Sequence, residues 1–131
     1  MRSLNGIKPQ DILILLKLIL WQDRPNWKSI DLAKELGLSP FEISIGLERC
    51  RRSWFLDSSK RRLMKSAFLE FLVHGIKYVF PVVPGPICRG IPTAHCAPPL
   101  AGKIVFNEDD LYVWPHAEGN KRGQAIEPIY E

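Results

Sequence analysis

Cysteine and histidine side chains in the last third of the chain are the first candidates for site chemistry. Cys88, His95 and Cys96 lie within nine residues, and thiolate and imidazole are ligands that Zn²⁺ prefers. Structural zinc sites usually supply their ligands in pairs separated by about two to four residues. These three residues form no such pair, and two adjacent residues rarely bind one metal. We therefore predict no metal site.

The same residues have the chemistry of a nucleophile and its base. Cys96 follows His95 directly, but neighbouring side chains in an extended segment point in opposite directions, and no third group is marked to orient the histidine. The acidic pair Asp109-Asp110 is typical of a polar turn, and the chain contains no glycine-rich phosphate-binding loop. We therefore predict a protein that is not an enzyme, with no catalytic residues and no cofactor.

A basic cluster in the middle of the chain points to a different chemistry. Residues 49–65 contain seven Lys or Arg and one acid, Asp57. Residues 1–65 hold thirteen basic and seven acidic residues, whereas residues 66–131 hold five and seven. Such a concentration is expected of a surface that binds nucleic-acid phosphates. An ordinary solvated surface has the same composition, so charge alone does not decide.

Composition sets the background for these side chains. A chain of 131 residues with 46% hydrophobic residues is long enough for one domain and its core. Three cysteines, an odd number, do not make a disulfide framework, and no apolar run reaches the ~18 residues of a membrane span. The start of the chain does not have the features of a signal peptide. We expect a reduced, cytoplasmic protein without membrane contact.

The first helix is predicted from about Pro9 to Trp21 or Gln22. Proline is tolerated in the first turn, and Asp11 suits the positive end of the helix dipole. The stretch from Ile12 to Leu20 is apolar nearly all round, so the helix must be covered on more than one side. We expect the second half of the chain or a second subunit to provide that cover.

Two further helices are predicted close together. The second runs from about Ser29 to Leu36 and stops at Gly37, and the third runs from Pro40 to about Arg52. Ser39 with Glu42 three residues later is a capping box at the start of the third helix. Three residues of that helix recur at the spacing of an inward face: Ile43, Leu47 and Cys50.

The remaining elements are predicted from shorter signals. Residues 54–56 and 61–64 are expected to form a two-stranded hairpin around a turn at 57–60. A fourth helix is expected over 67–74, stopped by Gly75, and strands are expected over 76–80, 103–106, 111–114 and 124–126. The proline-rich segment 81–99 is interpreted as an extended connector. We place the domain boundary between residues 75 and 76.

The segment from Ile30 to Arg49 resembles the winged helix-turn-helix of bacterial transcription regulators of the MarR-like type. The resemblance rests on the pattern LAxxLGLSPxxISxxLxR, the capping box and the following basic hairpin, and it covers roughly residues 9–74. It implies an α+β fold: three helices, a β-hairpin wing and a fourth helix over 1–75. Residues 76–131 would form a Pro/Gly-rich loop and a short-strand appendage outside the resemblance.

The resemblance also implies a binding surface for double-stranded DNA, with the third helix in the major groove. Residues expected at base edges are Ser39, Pro40, Phe41, Ser44 and Ile45. Residues expected at phosphates are Lys28, Ser29, Arg49, Arg52, Lys60, Arg61 and Arg62. Phe41 is equally compatible with packing beneath a neighbouring loop. The N-terminal part of this helix offers no Arg, Gln or Asn, which predicts modest sequence specificity.

The function predicted from the resemblance is transcriptional regulation, with repression expected, by a DNA-binding homodimer whose symmetry matches palindromic half-sites. The alternative is a protein-interaction module, such as an antitoxin-like DNA-binding protein whose residues 76–131 hold a protein partner. A third reading is an enzyme or sensor in the second half, built on Arg89, His95 and Cys96. RNA binding stays open, but single-strand stacking is not favoured.

Overall fold

The computed structural model describes residues 6–130, apart from the side chain of Glu108, and divides the chain into two compact units, Met1–Ile76 and Lys77–Glu131. The division lies one residue after the boundary predicted from the sequence. The architecture is mixed α and β, as expected. The helices are α1 (Pro9–Leu20), α2 (Ser29–Leu36), α3 (Pro40–Arg52), α4 (Lys65–Glu70) and α5 (Ile76–Val79). The strands are β1 (Ile87–Pro92), β2 (Tyr112–Pro115) and β3 (Lys121–Ala125).

Helices α1, α2 and α3 pack on one another and form the core of the first unit. The predicted inward face of α3 is confirmed, because Ile43 and Cys50 are fully buried and Leu47 is nearly so. Leu15 of α1 and Leu32 of α2 are fully buried in the same unit. Burying a side chain of this size stabilises the fold by about 1.5–3 kcal/mol.

Local signals fix where α2 ends and α3 begins. Gly37 adopts a left-handed backbone with φ of 67°, the conformation that ends helices and favours glycine. The amide of Glu42 donates to Ser39 Oγ at 3.1 Å, and the amide of Ser39 donates to Glu42 Oε2 at 2.9 Å. The capping box and the helix bounds of α2 and α3 agree with the sequence predictions.

Gly46 explains how closely α3 approaches α1. A Cβ atom at this position would lie 2.7 Å from Ile14 Cδ1 and 2.9 Å from Asp11 Oδ1. A larger residue would push the two helices apart. The small residue at position 46 therefore allows the close packing of α1 and α3.

The segment after α3 differs from the predicted two-stranded hairpin. Among the described residues of this segment, Leu56 and Leu63 form one isolated antiparallel bridge instead of two strands. Trp54 and Lys60 adopt positive φ angles of 66° and 63°, which interrupt a pleated strand. No strands form at 54–56 and 61–64, so these strand predictions are wrong in extent. The segment is a loop pinned at the Leu56–Leu63 bridge, where it turns back on itself as a minimal hairpin: the amide of Asp57 donates to the Arg62 carbonyl and the amide of Met64 donates to the Phe55 carbonyl.

The fourth helix is longer than predicted. It begins at Lys65, passes through a π-helical turn at Phe71–Gly75 and continues as α5 to Val79. Gly75 does not stop the helix, and a Cβ there would lie 3.0 Å from Cδ1 of the Phe71 ring. The π-helical turn includes Gly75 and the helix continues beyond it, so the strand predicted over 76–80 is wrong.

The second unit is a small closed sheet in which β1 is antiparallel to both β2 and β3. Strand β1 lies within the segment 81–99, so the connector prediction is wrong there. The final residue of the strand, Pro92, is tolerated because a strand end needs no ladder donor. The strand predicted at 111–114 corresponds to β2 and the strand predicted at 124–126 corresponds to β3, both with shifted bounds. The strand predicted at 103–106 is wrong, because Ile104 ends a turn and Val105 is fully exposed.

The interior of this sheet is narrow. Val113 of β2 is fully buried, and a Cβ at Gly90 of β1 would overlap the carbonyl of Trp114. Only glycine allows the two backbones to approach this closely. The alternation of side chains along β1 therefore leaves its larger residues on the outer face.

No helix within residues 6–130 is both long enough and apolar enough to cross a bilayer.

Candidate nucleic-acid interface

A cleft of about 240 Å³ opens in the first unit where α2 begins, beside α3 and the loop that follows it. Its lining combines three hydroxyl groups, two cations and two apolar side chains. The lining residues are Trp27, Ser29, Ser44, Leu47, Ser59, Lys60 and Arg61. Hydroxyl groups and cations around one opening provide donors for an anion the size of a phosphate.

The start of α2 forms one wall of this cleft. Ser29 is the first helical residue, and the backbone N–H groups of a first turn favour a negative charge. The amide of the preceding residue, Lys28, donates to Asp31 Oδ2 at 3.1 Å. Lys28 and Ser29 are both exposed, so the structure places both predicted phosphate contacts at the surface.

The outer face of α3 is apolar at its N-terminal end. The Phe41 side chain is 73% exposed and Ile45, one turn later, is 39% exposed. Ser44 is exposed and reaches the cleft. The packing of Phe41 beneath a neighbouring loop, open from the sequence, is excluded by its exposure. Ser39 and Pro40 are exposed at the helix start, where Ser39 Oγ serves as the helix cap.

Arg49 does not belong to the surface to which the sequence assigned it. Its side chain is 7% exposed, with Nε 2.7 Å from Asp11 Oδ2 and Nη2 2.8 Å from Asp11 Oδ1. The pKa of Arg49 is raised, first of all by this hydrogen bonding to Asp11. The guanidinium joins α3 to α1 in the core, so the predicted phosphate contact by Arg49 is wrong.

Arg61 is exposed but serves the loop as well as the cleft. Its Nη2 donates to the carbonyl of Pro25 at 2.9 Å and to the carbonyl of Trp27. The guanidinium carbon lies 4.1 Å from the centre of the Trp27 ring, within cation–π range. These contacts fix the loop against the segment before α2, and Arg61 also lines the cleft.

Glu48 is a central residue of this surface that the sequence prediction did not include. Its carboxylate accepts a hydrogen bond from Arg51, lies 2.8 Å from Lys60 Nζ and lies 3.6 Å from Arg52 Nε. The hydrogen bonds from Arg51 and then Lys60 lower the pKa of Glu48 to about 2. Its spacing from Arg51 and Arg52 was the available signal, because residues three and four apart share a helix face.

Asp57 and Ser59 shape the loop, and the sequence prediction included neither as a site residue. Asp57 Oδ1 accepts from the amide of Ser59 at 3.1 Å and from Ser59 Oγ at 2.5 Å. The hydrogen bond from the Ser59 side chain is the main reason why the pKa of Asp57 is lowered. Ser59 Oγ in turn accepts from the amide of Arg61 at 3.2 Å. The Asp-Ser-Ser-Lys turn chemistry was the signal for this arrangement.

Arg62 is a predicted cation whose charge is not shared with a described acidic side chain. It is exposed, and it makes no ion pair with any side chain that the structure describes. Arg52 and Lys60, by contrast, share the carboxylate of Glu48. The basic cluster of residues 49–65 is therefore less positive than its composition suggests.

The cysteine–histidine segment of the second unit is held by a backbone carbonyl. His95 Nε2 lies 2.8 Å from the carbonyl oxygen of Asp110, and Cys96 Sγ lies 3.8 Å from the same atom. The two side chains do not diverge as expected for an extended segment, because residues Ala94–Cys96 form a 3₁₀ turn. Among the side chains that the structure describes, no three from His, Cys, Asp or Glu gather into a metal site.

Comparison with models of protein families, with curated proteins and with solved structures finds no match to this chain.

Proposed function

We propose that the first unit binds double-stranded DNA through the outer face of α3 and that the protein regulates transcription. The observation that carries this proposal is the cleft lined by cations and hydroxyl groups at the N-terminal end of α2, directly beside the exposed residues of α3. In a winged helix-turn-helix, the second helix of the pair enters the major groove while the loop reaches a neighbouring phosphate. Here the pinned loop around Leu56 and Leu63 takes the place of the hairpin.

Phosphate contacts supply most of the affinity in this account. A phosphate in the cleft would accept a hydrogen bond from Ser29 and meet the charges of Lys60 and Arg61. Arg62 and Lys28 would contact the backbone on either side. Because each neutralised phosphate releases counterions, we expect the affinity to fall steeply as salt rises.

Base contacts are expected to be few. Phe41 and Ile45 offer apolar surface to a thymine methyl group, and Ser44 offers one hydroxyl. No side chain at these positions makes the bidentate contacts that discriminate strongly between bases. We therefore propose a semi-specific reader that favours particular sites by a small number of contacts.

We further propose that the protein acts as a homodimer and represses transcription from palindromic sites. Leu16 and Leu20 lie one turn apart on α1 and are 41% and 74% exposed. Helix α1 is thus incompletely covered by its own unit, which supports a second subunit as its cover. Light scattering at tens of micromolar protein should give twice the chain mass, and a strict monomer with and without DNA would refute the dimer.

Fluorescence anisotropy with a labelled duplex at ~50 mM salt tests DNA binding. Arg62→Ala removes an exposed cation and should lower the affinity and reduce the salt slope by about one. Ser44→Asp places a negative charge at the cleft and should abolish binding. Lys34→Ala, which removes an exposed charge from the outer face of α2, is the matched control and should bind like the wild type.

Two results would contradict the proposal. One is the absence of duplex binding by the folded wild type even at low salt. The other is binding that Arg62→Ala and Lys34→Ala weaken equally, because the affinity would then follow net charge and not this surface.

The second candidate function is a protein-interaction module, and the exposure of Phe41 and Ile45 favours it. Two large apolar side chains one helical turn apart are also the pattern of a helix that docks on a protein groove. Phe41→Ala distinguishes the two functions. Loss of a stoichiometric protein partner with unchanged duplex affinity would support the interaction module and contradict base contact by Phe41.

A further inference from the structure

The outer face of the second unit carries a compact group of large side chains that the proposed DNA-binding surface does not use. Strand register defines it, because directly opposed residues of antiparallel strands lie on the same face. Arg89 opposes Arg122 across β1 and β3, and Ile91 opposes Trp114 across β1 and β2. Ile87 precedes Arg89 by two positions and therefore shares its side of β1. We call these five residues the β1 face.

Two like charges stand opposite each other at the centre of the β1 face. Arg89 and Arg122 are both exposed, and neither makes an ion pair with any of the acidic side chains that the structure describes. Like charges in directly opposed positions repel each other and weaken a sheet. A negatively charged group placed between the two guanidinium groups would relieve that repulsion and accept planar hydrogen bonds from both.

Apolar side chains lie on both sides of this charge pair. Ile87 is 65% exposed and Ile91 is 45% exposed, at the two positions of β1 that flank Arg89. Trp114, opposite Ile91, is 46% exposed. Tryptophan and arginine dominate the energetics of protein interfaces, and aliphatic side chains beside them exclude water from the charged contact.

We propose that the β1 face docks a protein partner through a segment that carries an acidic side chain between apolar residues. The Asp or Glu carboxylate sits between Arg89 and Arg122, and the apolar neighbours cover Ile87 on one side and Ile91 with Trp114 on the other. Charge complementarity identifies the partner chemistry, because the central pair is positive and has no anion among the described residues. The proposal is independent of the DNA-binding function.

The composition of the face favours a protein over a nucleic acid. A phosphate would satisfy the two arginines, but a nucleic-acid backbone offers no apolar group for Ile87 and Ile91. Docking by side chains is favoured over the addition of a strand, because the three strands close on one another. A closed sheet leaves no free edge to accept a further strand.

Peptide display tests the proposal with a defined probe. Three libraries of random nonapeptides differ only in the fixed central residue, which is Glu, Gln or Lys, and each is panned on the full-length protein. The Glu library should enrich at least tenfold over the Gln and Lys libraries, with apolar residues selected beside the centre. A synthetic winner should lose at least tenfold in affinity when its central Glu becomes Gln.

Reversing the charge of the two arginines is the most direct test of the β1 face in the same peptide-display experiment. The double variant Arg89→Glu/Arg122→Glu should reject the Glu library and select from the Lys library, a gain that an unfolded variant would not produce. Lys103→Glu is the matched control, because it reverses an exposed charge outside the three strands, and it should select like the wild type.

Three outcomes would overturn the proposal. They are the absence of enrichment from any library, enrichment that does not depend on the central charge, and selection of the same peptides by wild type and double variant. A loss of duplex binding in the double variant without these peptide effects would assign the β1 face to DNA.

Discussion

Basic residues close together in the sequence perform different tasks in this structure. Arg49 and Arg62 are thirteen positions apart in one cluster, yet Arg49 is buried on Asp11, while Arg62 is exposed and has no ion pair with a described side chain. The sequence did not separate them, because the outward or inward direction of Arg49 depends on how α3 is rotated against α1. The available signal was an acidic residue, Asp11, at the start of the apolar helix α1, because a carboxylate that becomes buried needs a cation beside it.

The Asp11–Arg49 pair should be essential for stability. Asp11→Ala leaves a buried guanidinium without its counter-charge, and we expect the free energy of unfolding to fall by about 3–5 kcal/mol. Urea unfolding followed by tryptophan fluorescence measures this. The exposed pair of Lys17 and Glu35 is the control, and Glu35→Ala should cost less than about 1 kcal/mol. Equal losses in both variants would contradict the buried role of Asp11.

Glu48 should limit DNA affinity. Glu48→Gln removes the carboxylate shared by Arg51, Arg52 and Lys60, so more positive charge becomes available to phosphates. We expect tighter duplex binding and a steeper salt dependence, measured by anisotropy. The control is Glu35→Gln, because Glu35 pairs with Lys17 and does not line the cleft. This variant should change duplex affinity little. Weaker binding by Glu48→Gln would show that the carboxylate positions these cations instead.

The pKa of Glu48 makes a further prediction about acid. Because the folded pKa is about 2 and the ordinary value is 4.5, Glu48 favours the folded state fully above pH 4.5. That contribution is lost as the pH falls from 4.5 towards 2, where the folded carboxylate becomes protonated. A carboxyl NMR titration should show a midpoint near 2 for Glu48. A midpoint near 4.5 would mean that the hydrogen bonds to Arg51 and Lys60 do not persist in solution.

At the scale of elements, the helices with capping and stop signals followed the sequence closely. Ser39, Glu42 and Gly37 act through neighbouring backbone atoms, so their effect is readable without tertiary structure. The loop after α3 and the π-helical turn were not readable in this way. Positive φ at Trp54 and continuation of the helix through Gly75 depend on packing, and local propensity favoured strands at both places.

The cap of α3 should contribute to the stability of the first unit. Ser39→Ala removes the oxygen that accepts from the Glu42 amide, and we expect a loss of about 1 kcal/mol in the free energy of unfolding. Ser39→Asp restores an acceptor and should recover most of that loss. Urea unfolding measures both variants, and a loss in Ser39→Asp equal to that in Ser39→Ala would contradict the capping role.

At the scale of the whole molecule, the chain consists of two units with different surface chemistry. The first combines cations and hydroxyl groups around a cleft, and the second presents apolar side chains around two arginines. The end of the helix-turn-helix resemblance predicted the boundary, but the outer face of the second unit depends on strand pairing that the sequence did not specify. Strand β1, at residues 87–92, was not predicted, because the prolines around it favoured an extended connector.

An NMR titration of the ¹⁵N-labelled full-length protein with a duplex tests the central claim most directly. At ~50 mM salt, the largest amide shift changes should fall at the start of α2, at the first two turns of α3 and in the loop at 57–62. Arg49 Nε–H should not shift, because its guanidinium stays on Asp11. Absence of changes at equimolar duplex, or changes concentrated in residues 77–130, would contradict DNA binding by the first unit.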